Sequence, residues 1–130
     1  SSVALAWLLP DESGSDVDAL IDQLEHDHAI VPAIWSLEVS NALLMAQRRG
    51  RIKASELERL LAELEVLPIE ADSSIGTGGL SAVIALAKTH VLTTYDAAYL
   101  ELAQRRNIAL ATLDTRLRAA SQALKVAVLP

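Results

Sequence analysis

The stretch Val91-Leu92-Thr93-Thr94-Tyr95-Asp96-Ala97-Ala98-Tyr99-Leu100-Glu101-Leu102-Ala103-Gln104-Arg105-Arg106-Asn107-Ile108-Ala109-Leu110-Ala111-Thr112-Leu113-Asp114 carries most of the information about the fold. Residues 91–93 are β-prone, residues 96–106 have helical character, and residues 108–113 form an apolar run that reads as a strand. A helix rich in Arg and Ala over 115–124 and a closing strand over 126–129 continue the alternation. Strands that alternate with helices at this spacing need crossover connections, which implies a parallel α/β sheet covered on both faces.

Upstream the pattern persists. Residues 16–27 place Val17, Leu20, Ile21 and Leu24 at i, i+3, i+4 and i+7, with acids between them, as an amphipathic helix requires. Ala29-Ile30-Val31 reads as a short strand ending at Pro32, and residues 34–49 as a long apolar helix that stops at Gly50. A further helix is expected over 54–64, with Ser55 and Glu58 as a capping box and Leu57, Leu60, Leu61 and Leu64 as its buried stripe. Val66-Leu67-Pro68-Ile69 reads as a strand, with Pro68 favouring an edge. After the glycine-rich residues 76–79, Leu80, Val83, Ile84 and Ala87 repeat at helical spacing. No repeat, low-complexity tract or linker interrupts this order, so residues 1–130 are read as one domain.

The chain has 130 residues, of which 52% are apolar, and it contains no cysteine. This composition excludes intrinsic disorder, a disulfide framework, thiol catalysis and zinc-ribbon or iron–sulfur ligation. No uninterrupted apolar run approaches the roughly 18–20 residues of a membrane span, and no secretory signal is visible. A cytoplasmic protein is the expectation. With two Trp, two Tyr and no Phe, a base-stacking platform is not expected either. The net charge of −6 taken alone opposes a nucleic-acid partner, but the charge is unevenly placed. Residues 1–47 hold eight acids and no Lys or Arg, whereas residues from Ser73 onward carry six bases against three acids. A polyanion can therefore still meet a basic surface.

In open parallel sheets, ligands gather beyond the carboxyl ends of the strands, so acids that follow strands or interrupt apolar helices deserve scrutiny. Glu38 is the sole charge in the apolar segment 34–45, with Asn41 one turn onward, while Asp96 and Asp114 follow apolar stretches at helix starts. Each has an ordinary structural reading: Asp96 and Asp114 as helix N-caps, Glu38 as a partnered acid. Three acids at one end of a sheet would repel one another without a cation, and hard oxygen donors without His or Cys point to Mg²⁺, with Mn²⁺ as an alternative. His26, His28 and His90 lack metal spacing. The glycine-rich residues 73–79 lack the Gly-Lys-Ser/Thr ending of a phosphate loop, and Asp11-Glu12 follows Pro10 as the end of a helix. The basic run at 48–53 reads as a solvated helix end and is also a candidate phosphate contact.

The runs at 1–12, 35–43, 92–103 and 110–114, taken together and in order, resemble PIN-domain proteins, and more narrowly the VapC toxins of prokaryotic type II toxin–antitoxin systems. The resemblance implies a three-layer α/β/α sandwich with a central parallel sheet. It also implies a Mg²⁺-dependent endoribonuclease, usually homodimeric, that is silenced by a VapB-type antitoxin. Carried over by position, Glu38, Asp96 and Asp114 match the family's second, third and fourth acids. Ser2, Asn41 and Thr112 match the polar residues that support them. The first acid would immediately precede Ser1, so a short apolar strand ending in Asp is expected there, and a protein truly starting at Ser1 is expected to bind metal poorly and cut little RNA. Arg48, Arg49, Arg51, Arg105, Arg106, Arg116 and Arg118 are the candidates for contacts to RNA phosphates. The rival readings are a PIN-like domain that binds RNA or protein without cutting it, and a phospho-receiver domain. The latter is disfavoured because no acidic pair follows a first strand and the one Lys near the C-terminus, Lys125, precedes the final strand.

Overall fold

The computed structural model describes residues 1–9, 14–24, 26–73 and 79–130. In chain order the elements are α1 (Ser2–Leu8), α2 (Ser15–Gln23), β1 (Ala29–Pro32), α3 (Trp35–Arg48), α4 (Ala54–Glu65) and β2 (Ile69–Asp72). They are followed by α5 (Leu80–His90), α6 (Thr94–Arg106), β3 (Leu110–Ala111), α7 (Thr115–Ala123) and β4 (Val128–Leu129). The helix end expected at Asp11-Glu12 and most of the glycine-rich run, residues 74–78, lie outside the described residues.

Both strand pairs are parallel, as the alternation of strands and helices demands. β1 aligns Ala29 with Ile69 and Pro32 with Asp72, and β3 aligns Leu110 with Val128 and Ala111 with Leu129. The fold is mostly helical with a small parallel sheet. Among the described residues this sheet is two separate two-stranded ribbons, β1–β2 and β3–β4, rather than one continuous surface. The helix α6 packs against both β1 and β3 and so holds the two ribbons on one support. Its sequence suits that place: Ala97, Ala98 and Ala103 let neighbours approach closely, while Leu100 is fully buried.

Two large apolar clusters result. In the first, Ala4, Leu8 and Leu9 join Val39, Leu43 and Ala46 of α3, together with Ile52 and Leu60. In the second, Leu100 and Ala103 meet Leu110, Leu117 and Ala120. Val39, Leu43 and Ala46 recur at i, i+4 and i+7, so a single stripe of α3 faces the core and the rest of the helix is free to carry polar groups.

Several local expectations are corrected. The second strand begins at Ile69, three residues later than expected, because the chain is still in a turn at Val66, which is 80% exposed. Residues 91–93 form no strand: Val91 ends α5 in the left-handed region (φ 54°) and Thr93 caps α6. Only Leu110 and Ala111 of the run 108–113 pair in a ladder. The Ser55–Glu58 capping box does not form, since α4 starts at Ala54 and Glu56 instead accepts the Lys53 N–H at 2.7 Å. Leu80 and Ile84 are each about half exposed, so the buried stripe of α5 is Val83 and Ala87.

Candidate active site

The turn between α5 and α6 builds the first part of the site. Thr93 is the N-cap of α6: its hydroxyl oxygen accepts the Asp96 N–H at 3.1 Å and its hydroxyl donates to Asp96 Oδ2 at 2.8 Å. Asp96 is thus the third residue of a reciprocal cap, not the cap itself. One carboxylate oxygen is fixed by Thr93, and Oδ1 has no hydrogen bond among the described residues.

The loop after β3 builds the second part. Asp114 caps α7 by accepting the Leu117 N–H at 2.8 Å, as its position at a helix start suggests. Its own N–H donates to Thr112 Oγ1 at 3.1 Å. Thr112 is buried, and its hydroxyl lies 3.5 Å from that of Ser2, which also accepts the Leu113 N–H at 3.1 Å. Ser2 and Thr112 therefore tie the start of α1 to the loop that presents Asp114. Both hydroxyls act on backbone N–H groups of that loop rather than on the carboxylate directly.

Glu38 enters from α3. Its Oε2 accepts the hydroxyl of Tyr99, one turn beyond Asp96 on α6. Burial first, and then the Glu38 hydrogen bond and charge, hold the Tyr99 phenol far above its ordinary pKa, so it remains a donor. The charge of Asp96 acts on the same phenol, so Glu38, Asp96 and Tyr99 share one electrostatic neighbourhood. Tyr99 is the functional candidate that sequence reasoning missed. The available signal was its i+3 spacing from Asp96, which puts both on one face of α6.

Asp96 and Asp114 line one open cleft of about 530 Å³, together with Ala87, Lys88, Val91, Leu92, Thr93, Thr115 and Arg116. The cleft offers hard carboxylate oxygens and no imidazole. Such a set fits Mg²⁺ or Mn²⁺, which one or two carboxylates hold while waters and substrate phosphates complete the shell. Among the described residues no group of three acids stands close enough to enclose an ion. Asp96 is the link, sharing the cleft with Asp114 and the Tyr99 neighbourhood with Glu38. Asn41 is exposed and its side chain makes no hydrogen bond among the described residues.

The cations divide sharply. Arg105 and Arg106 both bind Asp72, at 3.1 and 2.9 Å, and Arg105 also binds Glu101. Arg118 donates to the main-chain oxygen of Pro130. Arg48 stands ten residues beyond Glu38 on α3, about 15 Å along its axis, with Arg49 and Arg51 just after it. Of the seven arginines expected to face RNA, Arg116 alone lines the cleft that holds Asp96 and Asp114.

A parallel-stranded α/β/α framework with acids from α3, α6 and the end of β3 drawn toward α6 defines a class, and the PIN-domain family model matches residues 1–122. The chain belongs to the PIN-domain family. Within that family it is of the VapC type: it is 31% identical over 121 residues to ribonuclease VapC3 of Pyrobaculum aerophilum, an alignment that covers 90% of this chain and 88% of that protein. Among the described residues no helix is long and apolar enough to cross a membrane.

Proposed function

We propose that this protein is a metal-dependent endoribonuclease of the VapC toxin type, acting in the cytoplasm and neutralised by a VapB-type antitoxin. The observation that carries this reading is the pairing of Asp96 and Asp114 in one open cleft, with Glu38 tied to the same helix face through Tyr99. A nuclease needs hard oxygen ligands beside a surface that accepts phosphate, and this cleft has carboxylates and cations on the same rim.

Asp96 and Asp114 are the residues that would hold Mg²⁺ or Mn²⁺. A bound ion supplies hydroxide from water near neutral pH and neutralises charge on the phosphoryl oxygens. Thr93 keeps the Asp96 carboxylate in one rotamer, and the cap on α7 does the same for Asp114. Glu38, held in place by the Tyr99 hydroxyl, would orient the attacking water. Ser2 and Thr112 would maintain the loop that carries Asp114. The acid that the family resemblance assigns to the position before Ser1 would enter the same space, because Ser1 lies beside Tyr99, which also faces Glu38 and Asp96. The exposed pair Leu80 and Ile84, one turn apart on α5, supports a homodimer.

Incubation of the full-length protein with single-stranded RNA in Mg²⁺, and then in EDTA, tests the reading. The expected outcome is cleavage that EDTA abolishes and that Asp96→Asn removes while the circular dichroism spectrum is unchanged. Cleavage by Asp96→Asn at the normal rate would overturn the assignment. Calorimetric Mg²⁺ binding without any RNA cleavage would favour the PIN-like domain that binds without cutting.

A further inference from the structure

The cleft with Asp96 and Asp114 does not end at the acids. A second hollow of about 430 Å³, lined by His90, Val91, Arg116, Ala119 and Ala120, shares Val91 and Arg116 with it. The two form one path from the acids, between the end of α5 and the start of α7, with Arg116 at the junction. From Ser73 onward the basic residues are Lys88, Arg105, Arg106, Arg116, Arg118 and Lys125. Arg105, Arg106 and Arg118 are taken up by Asp72, Glu101 and the Pro130 oxygen. The Lys88 and Arg116 side chains make no ion pair or hydrogen bond among the described residues, and both line the path. An unneutralised ammonium and guanidinium beside a groove suit successive phosphates of a strand.

Val91 adds an independent observation. It is 78% exposed at the point where the two hollows meet, and its φ of 54° lies in the left-handed region that β-branched residues rarely adopt. Val91 thus presents an exposed apolar side chain where the two hollows meet, and a ribose or base edge can rest on it. Arg48, Arg49 and Arg51 lie at the far end of α3 and offer no such continuity with Asp96.

Resting on the nuclease reading above, we propose that Lys88 and Arg116 bind the two phosphates next to the scissile one, so that the RNA strand leaves the acids along α7 and not toward the far end of α3. The test is fluorescence anisotropy of the full-length protein with a fluorescein-labelled single-stranded RNA in Ca²⁺ buffer over a salt series. Lys88→Ala/Arg116→Ala is expected to weaken binding at least about tenfold and to flatten the slope of log K against log salt by about 1.4, roughly 0.7 per lost phosphate contact. Arg116→Lys should recover most of the loss, and Arg59→Ala, on the exposed face of α4, should lose nothing. Unchanged affinity and slope in the double variant, or loss only in Arg48→Ala/Arg49→Ala, would overturn the route even if the unmodified protein cuts RNA. Loss in the double variant with no Mg²⁺-dependent cleavage by the unmodified protein would keep the groove and overturn the nuclease reading.

Discussion

Acids meet bases in two places on this molecule, and the outcomes are opposite. At the end of β2 the Asp72 side chain is 2% exposed and takes both Arg105 and Arg106. At the starts of α6 and α7, Asp96 and Asp114 share an open cleft with Lys88 and Arg116, yet none of these four is in an ion pair among the described residues. A carboxylate removed from water needs cations close by, and Asp72 obtains them from within the chain. The cleft carboxylates stay hydrated and are fixed only by hydroxyl and backbone partners. Their charge is left available to something outside the chain. The same residue types therefore build a fastening in one place and a binding surface in the other.

The contrast breaks most sharply under substitution of the acids. Asp96→Asn should reduce Mg²⁺-dependent RNA cleavage by about 10²-fold or more while the melting temperature changes little, because Asn can still accept from Thr93. Asp72→Ala should do the reverse. A buried pair broken on one side costs about 3–5 kcal/mol, but Arg105 is 33% and Arg106 45% exposed and water compensates them. About 2 kcal/mol of stability is expected to disappear in urea unfolding, with cleavage per folded molecule unchanged. If Asp72→Ala lost activity without losing stability, the division between fastening and binding surface would be wrong.

Smaller effects sharpen the picture. Tyr99→Phe leaves Glu38 without its donor, and the rate should fall about tenfold with little change in KM, the equivalent of one charge-assisted hydrogen bond. Thr93→Ala should cost about 1 kcal/mol of stability through the lost cap, and Thr93→Ser should restore it. In Tyr95→Phe, where Tyr99 is the only remaining phenol, absorbance titration in metal-free buffer should show no tyrosinate near the ordinary value. A raised folded-state pKa means that the folded chain holds this proton more tightly than the unfolded one. The associated stability is complete below about pH 10 and is lost as pH rises above it.

Much of the candidate site was legible because its acids stand out against apolar surroundings. Glu38 interrupts an apolar helix, and Asp96 and Asp114 each follow an apolar stretch at the beginning of a helix. The parallel pairing was legible for the same reason, since alternating strands and helices leave few alternatives. Strand boundaries were less so. Residues 91–93 look β-prone, yet Thr93 is a better cap than strand residue, and the reciprocal bond with Asp96 prevails. Val66 has a strand former's side chain but no neighbour to pair with.

The cations were the least legible. Arg105, Arg106 and Arg116 look alike in the sequence, and only their distances to Asp72 and to the cleft separate them. Local pattern, which depends on neighbours three or four positions away, marked most of the helices and singled out Glu38, Asp96 and Asp114 as candidates, while the resemblance to a family rested on four runs taken together and in order. Tertiary structure decided which charges are neutralised, that Tyr99 reaches Glu38 across 61 positions, and that Ser2 meets the loop carrying Asp114 from the other end of the chain. Electrostatic and hydrogen-bond energies depend on separation in space, and a sequence records only separation along the chain.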